Sequence, residues 1–216
     1  MNSYCLICNR DIRAEGSLEE MFYVDDCICA YCRGQLGYFP RTIRTGGLKI
    51  EGLFLYQGLL RDTLIQFKEY NDEALYPLFL YPYAKRLRHK YREYELLPMP
   101  SSQKAFVKRG FKPVDLIFSM LDLPIIDGLY KKSDMDQKSR SFRERQQIYG
   151  QIALKDDVRL EGKKILLVDD IVTSGATMRA GYRLVKERSG EVRALTLSYN
   201  QRFLNPAERF LQKALF

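Results

Sequence analysis

The stretch "KKILLVDDIVTSGAT", residues 163–177, constrains the fold more than any other. Four apolar residues run into two adjacent aspartates, and a loop of small hydroxylated residues around one glycine follows. The apolar run reads as a strand. Thr177–Arg188 read as a helix stopped at Ser189-Gly190, and "EVRALTLSYN" reads as a second strand. Strand, loop, helix and strand in that order make a right-handed βαβ unit, so the sheet is expected to be mostly parallel and the fold class α/β. Ligands of such sheets bind beyond the carboxyl ends of the strands, where Asp169 and Asp170 fall.

Upstream, "GLLRDTLIQFKEYND" (58–72) and "YAKRLRHKYREY" (83–94) carry helical periodicity, and "PVDLIFSMLDLP" (113–124) reads as a proline-bounded helix. "ELLPMP" (95–100) reads as a short buried strand entering a loop. The longest apolar stretch, Ala74–Ala84, has eleven residues and two prolines. That is too short for a bilayer, so it reads as core or as a packed helix. No basic segment followed by an apolar run opens the chain, and the expected compartment is the cytoplasm, without membrane insertion.

All five cysteines lie within residues 5–32. Cys5-x2-Cys8, a gap of 20 residues, then Cys29-x2-Cys32 is the spacing of a structural zinc site, in which two tight turns bring four thiolates onto one ion and leave no open position for catalysis. Cys27 is the spare and competes with Cys29 for the third ligand position. Apolar residues are sparse here, so bound Zn2+ is expected to supply much of the segment's folding free energy. The segment "PRTIRTGGLKIEG" (40–52), with Gly46-Gly47, reads as a linker. The domains are therefore expected at 1–45 for the cysteine module and 46–216 for the α/β unit. Loss of zinc is expected to leave the second folded.

The chain carries a formal charge of +8, and residues 1–50 are balanced with six basic and six acidic side chains, so the excess lies in 51–216. A basic surface attracts phosphates, whether on nucleic acid or on a small anion. Three stretches interleave or cluster cations: Lys85–Tyr94, Lys104–Lys112 and Lys131–Arg145. The first two add aromatics, the combination expected where bases of single-stranded DNA stack.

"LLVDD" also ends the first strand of receiver domains, but only 46 residues follow Asp170, too few for the rest of such a sheet. A dinucleotide loop needs more than one glycine. What agrees at every position of "ILLVDDIVTSGAT" is the thirteen-residue signature of the phosphoribosyltransferases. Its chemistry is legible: Asp169 and Asp170 can accept hydrogen bonds from the vicinal ribose hydroxyls. Thr173, Ser174, Gly175, Ala176 and Thr177, at a helix start, offer N–H groups and hydroxyls to a 5′-phosphate.

Together with the cysteine module, the "QFKEYND" segment, the "LPMP" strand, "KRGF" at 108–111 and Gln137 with Arg145, this signature resembles the ComF family. The resemblance covers nearly the whole chain. It implies a type I phosphoribosyltransferase fold with a small N-terminal zinc finger, and Mg2+-phosphoribosyl pyrophosphate as ligand. Asp169 and Asp170 would be the catalytic pair and Pro98–Ser102 the loop facing the pyrophosphate. Lys68, Lys104 and Arg109 would contact its oxygens, and Lys131–Arg145 would be a mobile flap. It further implies uptake of single-stranded DNA in natural transformation, with the cysteine module docking on the ATP-driven translocase ComFA. Lys112-Pro113 after "RGF", Ala105 beside Lys104, and Ile148 depart from the family's pattern. These departures bear on turnover more than on binding, since the ribose-phosphate loop is intact.

Overall fold

The structure is a computed structural model and describes residues 4–12, 27–132 and 152–215. Its centre is a five-stranded sheet in the order β1-β2-β7-β6-β3. The strands are β1 (Tyr38–Thr45), β2 (Leu48–Leu55), β3 (Tyr94–Pro98), β6 (Lys164–Val172) and β7 (Glu191–Tyr199). β2, β7, β6 and β3 run parallel, and β1 is an antiparallel edge on β2. The apolar run of β6 is thus the middle of the parallel array. Leu166 and Val168 enter one core with Leu195 and Leu197, and Ile165 and Leu167 enter the other with Ala194. That two-sided burial is why the strand reads as continuous apolar sequence rather than alternation.

Helices cover both faces. α2 (Gly58–Glu69), α3 (Tyr76–Lys90) and α5 (Pro113–Phe118) bury Leu60, Leu64, Phe67, Leu78, Phe79, Ile117 and Phe118 in the first core. α6 (Ala176–Val185) buries Met178, Ala180 and Val185 in the second. α1 (Ala30–Gln35) is capped by Cys29 and carries Cys32 of the second cysteine knuckle, α4 (Gln103–Arg109) follows β3, and α7 (Pro206–Leu215) ends the described chain. A small antiparallel pair, β4 (Leu129–Lys131) and β5 (Ile152–Leu154), flanks the second core.

The βαβ expectation is met by β6, α6 and β7, and the proline-led helix at Pro113 is α5. α3 starts earlier than its periodic segment, at Tyr76, and runs through Pro82. The larger correction is Pro40–Gly52. It is not a linker: it forms the β1–β2 hairpin, and β2 pairs with β7 inside the main sheet. Gly46-Gly47 is its two-residue turn, with φ of +54° and +80°. Positive φ at both positions is what a tight hairpin turn requires and what glycine supplies. A linker and a hairpin turn share the same local glycine signal, and only the pairing of β2 with a strand 140 residues downstream tells them apart.

Candidate functional site

β6 delivers the acidic pair at its carboxyl end. Asp170 is buried; its N–H donates to Asp169 Oδ1 at 2.9 Å, and its carbonyl accepts from Ser198 Oγ on β7 at 2.9 Å. Lys68 Nζ, at the end of α2, lies 2.8 Å from Asp170 Oδ2. Burial, reinforced by the Asp170 charge, pushes the Asp169 carboxyl up to about 8, against the opposing pull of Lys68 and Lys131. Two carboxylates and two cations therefore share one polar cavity of about 320 Å³, which Arg109, Thr177 and the Met99–Ser102 segment also line.

The sequence-derived residues distribute unevenly around it. Asp169, Asp170, Lys68, Arg109 and Thr177 come together. Arg109 is also tied back to α2: its Nε donates to the Lys68 carbonyl at 2.7 Å and Nη2 to Glu69 Oε1 at 2.6 Å, which fixes the helix end that carries Lys68. Lys104 is brought elsewhere; it is exposed on α4 and does not line the cavity. Ser102 caps α4, accepting from Ala105 N at 3.2 Å. In the signature loop Thr173 is exposed, Ser174 half-buried, and Gly175 and Ala176 buried. Gly175 takes φ of +71° at the N-cap of α6, and a Cβ there would stand 2.9 Å from Thr45 Cγ2. Of the expected flap, Lys131 lines the cavity, whereas Gln137 and Arg145 lie outside the described residues.

A second cavity, of about 360 Å³, adjoins the first and shares Met99, Pro100, Ser101 and Lys131 with it. Phe106 and Tyr130 line it, along with Asp115, whose carboxyl burial pushes upward. Lys112 and Lys155 both pair with Asp127 at its rim, each at 2.9 Å. Nothing in the sequence announced this pocket, because its lining residues are scattered through residues 98–131 and are joined by Lys155, and no local motif gathers them.

The thiols of Cys5, Cys8, Cys29 and Cys32 lie within 4.8 Å of one another, and Cys8 and Cys29 Sγ are 3.8 Å apart. Sulfurs ligating one tetrahedral zinc at ~2.3 Å stand about 3.8 Å from each other, so the donor set and its spacing fit that ion. Cys29 occupies the third corner of the cluster, and Cys27 stands apart from it, its thiol pushed by burial up to about 11. Burial likewise raises Cys29 and Cys32. At Cys5 it is outweighed by N–H donors of Cys8, Cys29 and Ile7, which bring the thiol down to about 7. The cluster is not insulated from the sheet. Cys5, Ile28, Cys29, Cys32 and Leu36 are buried in the same core as Leu53, Phe54, Leu60, Leu64 and Phe67.

The basic stretches differ from the nucleic-acid surface expected of them. In the first, Tyr91 and Tyr94 are buried, and Tyr83 stacks on Tyr38 with ring centroids 4.2 Å apart. Three of its cations are engaged within the chain: Arg88 with Asp122 at 3.3 Å, Lys90 with Glu51, and Arg86 with the Tyr38 hydroxyl. In the second, Phe111 is buried, Lys108 and Arg109 meet Glu69, and Lys112 meets Asp127. Most of the third lies outside the described residues. Tyr91, Tyr94 and Phe111 therefore serve the core, while Phe106 lines the second cavity.

The phosphoribosyl transferase domain family matches residues 108–207, which span the α5–β7 region and the signature loop. The competence protein ComFC of Streptococcus pneumoniae is 24% identical over 207 residues, covering 85% of this chain and 93% of that protein. ComFC of Bacillus subtilis is 23% identical over 225 residues, covering 89% and 93%. A hypoxanthine phosphoribosyltransferase from Staphylococcus aureus superposes with a TM-score of 0.37 at 16% identity, over 57% of this chain and 62%, less than two thirds, of its own. The family match, the parallel sheet with its flanking helices and the strand-tip acidic pair place a phosphoribosyl transferase domain at residues 108–207, in a sheet arranged as in the type I fold. The chain is homologous to the ComFC competence proteins and carries the four-cysteine cluster at its N-terminal end. Among the described residues no helix is long and apolar enough to cross a membrane.

Proposed function

We propose that this chain binds Mg2+-phosphoribosyl pyrophosphate in the cavity at the tip of β6 and acts in the cytoplasm during uptake of single-stranded DNA, its zinc-loaded cysteine module docking on a ComFA-type DNA translocase. The observation that carries the ligand is the convergence of Asp169 and Asp170 with Lys68, Arg109 and Lys131 around one cavity. The carboxylates accept from the ribose 2′ and 3′ hydroxyls. The loop preceding α6 offers its N–H groups and the positive end of the helix to the 5′-phosphate. Lys68, Arg109 and Lys131 balance the pyrophosphate, whose charge magnesium would further neutralise when bound with it. The DNA-uptake role and the translocase rest on the homology to ComFC proteins, and the single-stranded DNA contact on the net charge.

The test is calorimetric titration of the zinc-loaded protein with Mg2+-phosphoribosyl pyrophosphate, beside an Asp169→Asn, Asp170→Asn double variant. Saturable binding lost in the variant is the expected result; a folded wild type that binds nothing overturns the ligand. The adjoining cavity favours a second reading, an active phosphoribosyltransferase with a separate acceptor seated against Phe106 and Tyr130. Release of inorganic pyrophosphate on adding candidate acceptors distinguishes it from a binding protein.

A further inference from the structure

Arg179 stands in the first turn of α6, two residues beyond the signature, and its guanidinium turns back onto the loop. Its Nη1 donates to the Ser174 carbonyl at 3.0 Å and to Thr45 Oγ1 at the end of β1. The stem of the same side chain fills the space beside the hairpin turn: a Cβ at Gly46 would stand 2.5 Å from Arg179 Cδ. From the other side, Thr45 Cγ2 closes on Gly175 so tightly that a Cβ there would approach it to 2.9 Å. Loop, helix and edge hairpin thus interlock through Thr45, Gly46, Gly175 and Arg179, residues that are 130 positions apart in the chain.

We propose that Arg179 is a positioning residue for the phosphate loop, anchored on the β1–β2 hairpin. This rests on the ribose-phosphate reading given above for what the loop holds. In a trans peptide the C=O and the following N–H point in opposite directions. Holding the Ser174 carbonyl on Arg179, which Thr45 anchors in turn, therefore turns the Gly175 N–H away from the guanidinium and keeps that carbonyl from facing a bound phosphate. A glycine at positive φ has little intrinsic resistance to a flip of the adjoining peptide, so a cationic anchor supplies what the loop sequence lacks. The ordering is present before the ligand arrives, which is where preorganisation raises affinity. The hairpin, read from sequence as a linker, becomes part of the site's support.

The experiment titrates the full zinc-loaded chain with Mg2+-phosphoribosyl pyrophosphate, ribose 5-phosphate and Mg2+-pyrophosphate, in wild type, Arg179→Met, Arg179→Lys and Thr45→Val. Arg179→Met is expected to lose about tenfold in affinity for the two ligands bearing a 5-phosphate, while pyrophosphate, which does not touch the loop, binds unchanged. Arg179→Lys regains part of the loss by restoring a cationic donor, and Thr45→Val shows a smaller loss of the same selectivity. Ribose 5-phosphate affinity unchanged in Arg179→Met overturns the proposal, as does an equal fall for all three ligands accompanied by a fall in Tm. A wild type that binds none of the three overturns the functional reading instead. Amide hydrogen exchange of residues 173–177 in the ligand-free proteins then decides the role of Arg179 independently. Exchange about tenfold faster in Arg179→Met supports the anchor, and unchanged exchange overturns it.

Discussion

At the tip of β6 Asp169 answers to two demands that oppose each other. Ligand chemistry asks for a carboxylate acceptor, while burial beside Asp170 favours the neutral acid and raises the group from about 3.8 to about 8. With the native state holding the proton more tightly than the unfolded chain, this group's contribution to stability is complete below pH 3.8 and is lost as pH rises through the window up to 8. Asp169→Asn, neutral at every pH, is therefore expected to be more stable than wild type at pH 8, with a Tm higher by ~2–4 °C for each kcal/mol relieved, and equal to it near pH 4. Thermal unfolding at the two pH values checks this. A variant no more stable at pH 8 would mean that Lys68 and Lys131 already compensate the ionised carboxylate. Stability gained there is bought with function, since the same substitution weakens ribose binding. Asp169 and Asp170 were legible in the sequence because adjacent acids after a buried strand have few structural uses. Arg179 was not, because it belongs to no local pattern that distinguishes a site residue from a surface cation; Lys131 entered only as the first residue of the expected flap.

Among the elements, the β1–β2 hairpin is held by side chains that cross it. Tyr199, from β7, passes over Gly52 on β2 and donates its hydroxyl to the Phe39 carbonyl on β1 at 2.5 Å. A Cβ at Gly52 would lie 2.5 Å from Tyr199 Cδ1, so the ring must move and the bond to β1 is lost. Gly52→Ala is expected to destabilise the protein by about 1–3 kcal/mol, as overpacking does. Chemical denaturation measures it, and a change under about 0.5 kcal/mol would mean that the strands slide to accommodate the methyl group. The helices α2 and α5 were readable from periodicity and prolines, because each buries one stripe against a sheet. The hairpin was not, since β1 and β2 carry basic residues on an exposed face and β7, the second partner of β2, lies far along the chain.

For the whole molecule, the shared core ties the zinc cluster to the α/β unit. Ile28 and Leu36 are buried against the residues that seat α2, the helix whose last turn carries Lys68. Chelation of zinc, or Cys5→Ser with Cys8→Ser, is therefore expected to lower the Tm of the entire chain in one cooperative transition. It should not simply melt a detachable module. Calorimetry decides: two separate transitions, with the upper one unmoved, would restore the picture of an independent α/β unit. The inward-facing aromatics also bear on nucleic acid. Any retention on single-stranded DNA is expected to be carried by charge alone, falling by orders of magnitude between about 50 and 200 mM salt. Salt-resistant retention would require a stacking surface other than the two stretches between Lys85 and Lys112.

The parallel βαβ centre, the acidic pair at its tip and a four-thiol metal site follow from sequence alone, because each depends on residues close in the chain. A buried strand, a helix start and a pair of metal knuckles are all local. The tertiary structure alone decided that the glycine pair turns a hairpin, that Cys29 and not Cys27 completes the cluster, and that Lys104 stands off while Lys131 approaches. It also paired Arg88 and Lys90 with carboxylates of other segments. Each of those outcomes is a contact between segments tens to more than a hundred residues apart. Which side chains meet across such distances is set by how the layers pack, and local pattern carries no record of it.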